Sequence, residues 1–187
     1  MPTGVAMRDP REQLFAAAER VLLRDGPNAL TSRAVTAEAG CAKGVLHRHF
    51  ADFDSFLAEL VLDRIARLDA QGAALRGSAG TGAVAANVAE ALAEVFDALA
   101  LEIVGLITSR RELLARLRAT TPTGVPLLTE AAAMLASYLA AEQELGRLAP
   151  DADVDMLAPM LIGTAHMLFA GRPEPADVRR AVATVLT

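Results

Sequence analysis

The chain has one cysteine, one tyrosine and no tryptophan in 187 residues. A single thiol, Cys41, cannot close an internal disulfide, so no cross-linked framework is available and a reducing compartment is expected. The longest uncharged apolar run, Met156 to Gly171, is 16 residues and is interrupted by Pro159, Gly163 and His166. A membrane-spanning helix needs roughly 20 apolar residues, so no membrane partner is expected. Met1 to Pro10 has no apolar stretch of the secretory type, which predicts a cytoplasmic protein. Also missing are a glycine-rich phosphate loop, a nucleophile elbow and a Glu-x-x-His metal pair, and there are only three histidines. The chain therefore reads as no enzyme and as needing no cofactor.

Alternating strand patterns bounded by turn residues are absent too; what is present repeats with a helical period. Leu14, Ala17, Ala18, Val21 and Leu22 form one apolar stripe, stopped by Asp25-Gly26-Pro27-Asn28. Val88, Leu92, Val95, Phe96, Leu99 and Ile103 form a longer stripe, with Leu101, Val104 and Ile107 on the opposite face. This predicts one long helix, apolar all round and therefore central. Val178, Ala181, Val182, Val185 and Leu186 give a third stripe. Connectors are legible at Gly77–Gly82, Thr120–Pro126, Ala149–Asp151 and Arg172–Pro175. The fold class is all-α, with about nine helices.

Net charge is −5, but Thr31 to Phe50 reverses it locally: Arg33, Lys43 and Arg48 against Glu38 give +2, leaving −7 on the rest. That segment reads TSRAVTAEAGCAKGVLHRHF. Thr31 or Ser32 can cap a short helix running to Ala39, and Gly40 can supply the positive φ of a tight turn. A second helix then runs from about Ala42 to Phe50, with Cys41 inside the corner. This is a helix-turn-helix, in which one helix braces and the next enters the major groove.

From Arg11 to Leu57 the sequence resembles the DNA-binding domain of the tetracycline-repressor (TetR) family. The matching residues are the first helix with Asp25-Gly26, then Ala29-Leu30-Thr31, then Ala39-Gly40-Cys41-Ala42-Lys43-Gly44-Val45-Leu46, with His47-Arg48-His49-Phe50 in the family's aromatic-x-x-Phe place. The resemblance implies a helix-turn-helix domain over residues 1–53 and an effector-binding, dimerising helical domain over residues 54–187. It implies a ligand-responsive, sequence-specific regulator, most simply a repressor, whose partners are a double-stranded operator, a small effector and a second copy of the chain. Thr31, Lys43 and His47 would then hold phosphates. Arg33, Gly44, Val45 and Arg48 would approach base edges, with Ala42 and His49 in the same segment. Ala42 replaces a common serine and Phe53 a lysine, which predicts weaker DNA binding, and His47 and His49 predict pH sensitivity. The rival reading is a helical sensor that has lost DNA binding.

The same resemblance places a ligand pocket among Phe96, Leu99, Ile103, Met134, Tyr138, Met160, His166 and Met167. It places a dimer interface on the last two helices, at Met156, Leu157, Leu161, Leu168, Val178, Val182 and Val185. The scarcity of aromatic residues beyond residue 60 favours a largely apolar effector over a stacked flat cation. The helix from about Asp54 to Arg76 would join the two domains as a lever. Arg110, Arg111, Arg116 and Arg118 read as the wet face of a short helix. A zinc site from Cys41, His47 and His49 is not expected, since i and i+2 on a helix diverge.

Overall fold

The structure, a computed structural model, describes residues 9–186. The first eight residues of the expected N-terminal domain and Thr187 lie outside the described residues. Helix α1 (Pro10–Asp25) starts where Asp9 accepts hydrogen bonds from the Arg11 and Glu12 amides, with Pro10 in the first turn. Its predicted stripe is buried, and Gly26 ends it at φ 77°. A 3-10 turn, Pro27–Ala29, leads to α2 (Ser32–Glu38), whose cap is Thr31 accepting from the Ala34 amide at 3.1 Å. Gly40 turns the chain at φ 64° into α3 (Gly44–His49).

The long helix α4 (Phe53–Gly77) is capped by Asp52, which accepts from the Ser55 amide at 2.7 Å. At 25 residues it spans about 37 Å and runs from the small N-terminal domain into the larger bundle. There follow α5 (Val84–Val95), α6 (Ala98–Ser109), α7 (Arg111–Leu117), α8 (Leu128–Glu144), α9 (Val154–Ala170) and α10 (Pro175–Val185). Helix α8 packs between α4 and α9, α10 covers α5 and α9, and α1 rests on α6. No described helix is long and apolar enough to cross a membrane.

Ten α-helices are thus described, where the periodicity predicts nine. The difference lies mainly in the expected single helix through residues 88–107, which is broken at Phe96–Asp97. Asp97 accepts from the Ala100 amide at 2.7 Å and so starts a new helix. Its other oxygen receives Arg64 of α4, also at 2.7 Å. The apolar stripe continues across the break because both pieces lie against the same core, which is why periodicity alone joins them.

A buried polar cluster ties the α4–α5 connector to α8. Glu142 is fully buried; it accepts from the Tyr138 hydroxyl at 2.6 Å and the Gly80 amide at 3.2 Å, and faces Arg147 at 3.4 Å. Asn87 donates to the Tyr138 oxygen and to the Thr81 carbonyl. Burial, and then the Glu142 carboxylate, push the Tyr138 hydroxyl up to about 12. The phenol therefore stays a donor, and the buried carboxylate keeps its partners.

Candidate nucleic-acid interface

Two short helices, α2 and α3, pack against each other and against α1 through Val35, Leu46 and Phe50, all buried. That packing sorts the basic segment into an inner and an outer side. Thr31, Arg33, Ala42, Lys43, Gly44, His47 and Arg48 are exposed, whereas Val45 and His49 are half-buried. On α3, Gly44, His47 and Arg48 fall at i, i+3 and i+4 and share one face. Val45 instead packs partly on the core, so the expected apolar base contact is only half presented.

The segment's one acid points elsewhere. Glu38 receives Arg20 at 2.7 Å and Arg24 at 2.8 Å, both from α1, and these hydrogen bonds hold its carboxyl below the usual range. Among the described residues, no ion pair or side-chain hydrogen bond engages Arg33, Lys43, His47 or Arg48. An uncompensated cationic face on a short helix is suited to a polyanion. Cys41 is half-buried, and burial pushes its thiol up, which suits a packing role and not a reactive thiolate. No group of His, Cys, Asp and Glu among the described residues has a metal-binding arrangement.

Residues 14–60 match the family described as bacterial regulatory proteins, tetR family. That stretch, about a quarter of the chain, is thus similar to the TetR family's DNA-binding domain. The chain's whole fold is similar to those of solved structures. Reduced Escherichia coli NemR has a TM-score of 0.74 at 17% identity, covering 95% of each chain. A TetR-family regulator from Agrobacterium tumefaciens gives 0.71 at 14%, with 95% of each chain covered. Bacillus subtilis FadR in complex with stearoyl-CoA gives 0.69 at 15%, covering 94% of this chain and 97% of that one. No curated protein matches.

In the helical bundle the expected pocket residues are dispersed. Phe96, Leu99, Ile103 and Tyr138 are buried in the core, and His166 is half-buried beside the Phe96 ring at 6.0 Å. Met160 and Met167, expected in the pocket, are instead 50% and 79% exposed. Met134 lines a cleft between α4, α5 and α8, of about 180 Å³, together with Leu75, Ala91, Gln71, Asn87, Glu90 and Glu94, and Phe96 lines a separate one with Leu101, Glu102 and Phe169. Gly72 makes room for Met134: a Cβ there would meet Met134 Cγ at 2.9 Å.

The expected dimer residues also divide. Leu161, Val178 and Val182 belong to the protomer core, because α9 and α10 turn those positions toward α8 and α5. Leu157, Leu168 and Val185 are half-buried. Met156, Met160, Gly163 and Met167 make the outer face of α9, at i, i+4, i+7 and i+11.

The helix-turn-helix domain is joined to the bundle by contacts the sequence does not announce. Arg110, between α6 and α7, donates to the Leu30 carbonyl at 2.9 Å, faces Asp54 at 4.0 Å and covers the Phe53 ring at 5.7 Å. Arg116 donates to Asp52 and to the Ser55 hydroxyl, each at 2.7 Å. Arg111, Arg116 and Arg118 are exposed, as expected of a wet face, but Arg116 and the half-buried Arg110 also reach across to the N-terminal domain. The Ser55 amide, then the Ser55 hydroxyl, then Arg116 hold the Asp52 carboxyl below its ordinary range. Partners 61 and 80 residues apart leave no local signature, so only a three-dimensional structure reveals them.

Proposed function

We propose that the chain works as a homodimeric, ligand-responsive repressor in the cytoplasm, reading a near-palindromic operator. The observation that carries this is the exposed, acid-free face of α3, with Glu38 drawn back onto α1. Residues 1–53 are the reading domain, and residues 54–187 sense and dimerise. Thr31, Lys43 and His47 fix register on phosphates, and Arg33, Gly44 and Arg48 face base edges, where an arginine can donate two bonds to guanine.

The methionine face of α9 supports dimerisation, since three large exposed apolar side chains on one helix face call for a cover. In this reading the interface residues are Met156, Met160 and Met167, with Leu157, Leu168 and Val185 at their edges. A small, largely apolar effector enters the cleft beside Met134, where Ala74, Leu75, Ala91 and Met134 meet its body and Gln71, Asn87, Glu90 and Glu94 orient its polar groups. FadR, of like fold, is held with an acyl-CoA, and that likeness supports an effector for this bundle. The effector favours the conformer in which the two recognition helices are wrongly spaced, and α4 carries the change.

Footprinting after selection from random duplexes tests this reading. The account expects two symmetric half-sites whose centres lie about 34–36 Å apart, or a multiple of that, each protected by one chain. A single unsymmetric protected patch, or no selected sequence, would contradict it.

A further inference from the structure

Arg110, at the α6–α7 corner, and Arg116, in the last turn of α7, grip the helix-turn-helix at both of its ends. Leu30, whose carbonyl Arg110 holds, immediately precedes the Thr31 cap of α2. Asp52, which Arg116 holds, comes three residues after the end of α3 and is itself the cap of α4. Between these grips lies the whole reading unit, Thr31 to Phe50. Arg110 also covers Phe53, which stacks on Phe56 at 5.7 Å, and Phe56 meets Phe50, the last residue of the segment, edge-on at 5.0 Å. The two ends of α7 thus hold the entry, the exit and the aromatic floor of the reading unit.

From this geometry we propose that Arg110 and Arg116 are positioning residues that set the angle of the recognition helix, and so the half-site spacing that the protein accepts. The proposal rests on the dimeric reading above. Adding one base pair between half-sites moves their centres apart by about 3.4 Å and rotates one relative to the other by about 35°, at 10–10.5 base pairs per turn. Only a reading unit fixed at both ends resists such a change. With one end free, the domain is held by α4 and by the packing of α1 on α6, and the recognition helix can swing to follow the groove. Two bonds from one guanidinium to Asp52 and Ser55 fix direction as well as distance, which a single-point ammonium does less well.

The test uses the full chain and three duplexes: the selected operator, the same operator with one base pair added between half-sites, and an isolated half-site. The unmodified protein is expected to lose about tenfold or more on the lengthened operator, the scale of one lost base-specific contact. Arg110→Ala with Arg116→Ala is expected to reduce that discrimination to about threefold or less while leaving half-site affinity unchanged. Arg116→Lys, which keeps charge and one bond, is expected to restore only part of the discrimination lost in Arg116→Ala. Discrimination that survives the double substitution overturns the proposal. So does a parallel loss of half-site affinity, which would mean that the arginines serve folding or touch DNA themselves. An unmodified protein indifferent to spacing contradicts the dimeric reading and this proposal with it, whereas failure of the variants alone leaves that reading standing.

Discussion

Gly44→Leu is expected to leave the protein folded and to weaken operator binding by about 100-fold or more. Gly44 is the first residue of α3 and is exposed, and a Cβ added there meets no atom within 4 Å. Its backbone is not in the left-handed region, and leucine is the better helix former, so the native state loses nothing. The cost falls on the complex. At closest approach to the groove floor, a four-carbon side chain displaces the neighbouring contacts made by His47 and Arg48. Loss of the Arg48 base contact, about 1–3 kcal/mol, together with the His47 phosphate contact puts the effect at about two orders of magnitude or more. Thermal melting and fluorescence anisotropy on the same preparations read both halves of the prediction. Unaltered operator affinity would show that α3 does not face the groove with this end.

Phe56→Ala is expected to cost stability, by about 3–5 kcal/mol, the range for removing a fully buried phenylalanine. Phe56 is completely buried and meets three other rings: Phe50 at 5.0 Å, Phe15 at 5.6 Å and Phe53 at 5.7 Å. These come from α1, the end of α3 and the start of α4, so the cavity would open where the reading unit meets the lever. For a chain of this size each kcal/mol moves Tm by roughly 2–4 °C, which gives a fall of about 6–20 °C. Phe53→Ala, at a half-buried position, is the comparison and is expected to cost clearly less. A Phe56→Ala protein melting within about 2 °C of the original would mean that this cluster is not the keystone of the junction.

The helix-turn-helix is legible in the sequence because its determinants are local. Thr31 caps, Gly40 turns, and Val35 and Leu46 bury at spacings that span twenty residues. The break at Asp97 is less legible. An aspartate in an apolar helical pattern reads equally as a surface position, and its capping role depends on Phe96 leaving the helical region, at ψ 44°. The sidedness of α9 is misread for a related reason. Apolar residues surround that helix, so nothing in its own sequence says which of Met160 or Leu161 faces inward; the neighbours α8 and α10 decide. The Arg110 and Arg116 bridges are invisible, because an arginine on a short helix carries no mark of a carbonyl or carboxylate brought close from 61 to 80 residues away.

The central claim is that the exposed cationic face of α3 binds a specific DNA sequence through phosphates and bases together. The most direct measurement is a titration of the full chain into labelled duplex from upstream of its own gene, against random duplex, across a series of salt concentrations. The account predicts binding to one site at least about 10³-fold tighter than to random DNA. It also predicts log K falling linearly with log salt, at a slope of about −0.9 for each phosphate neutralised. Equal affinity for both duplexes at every salt concentration, with no sequence enriched from genomic DNA under the same conditions, would contradict it.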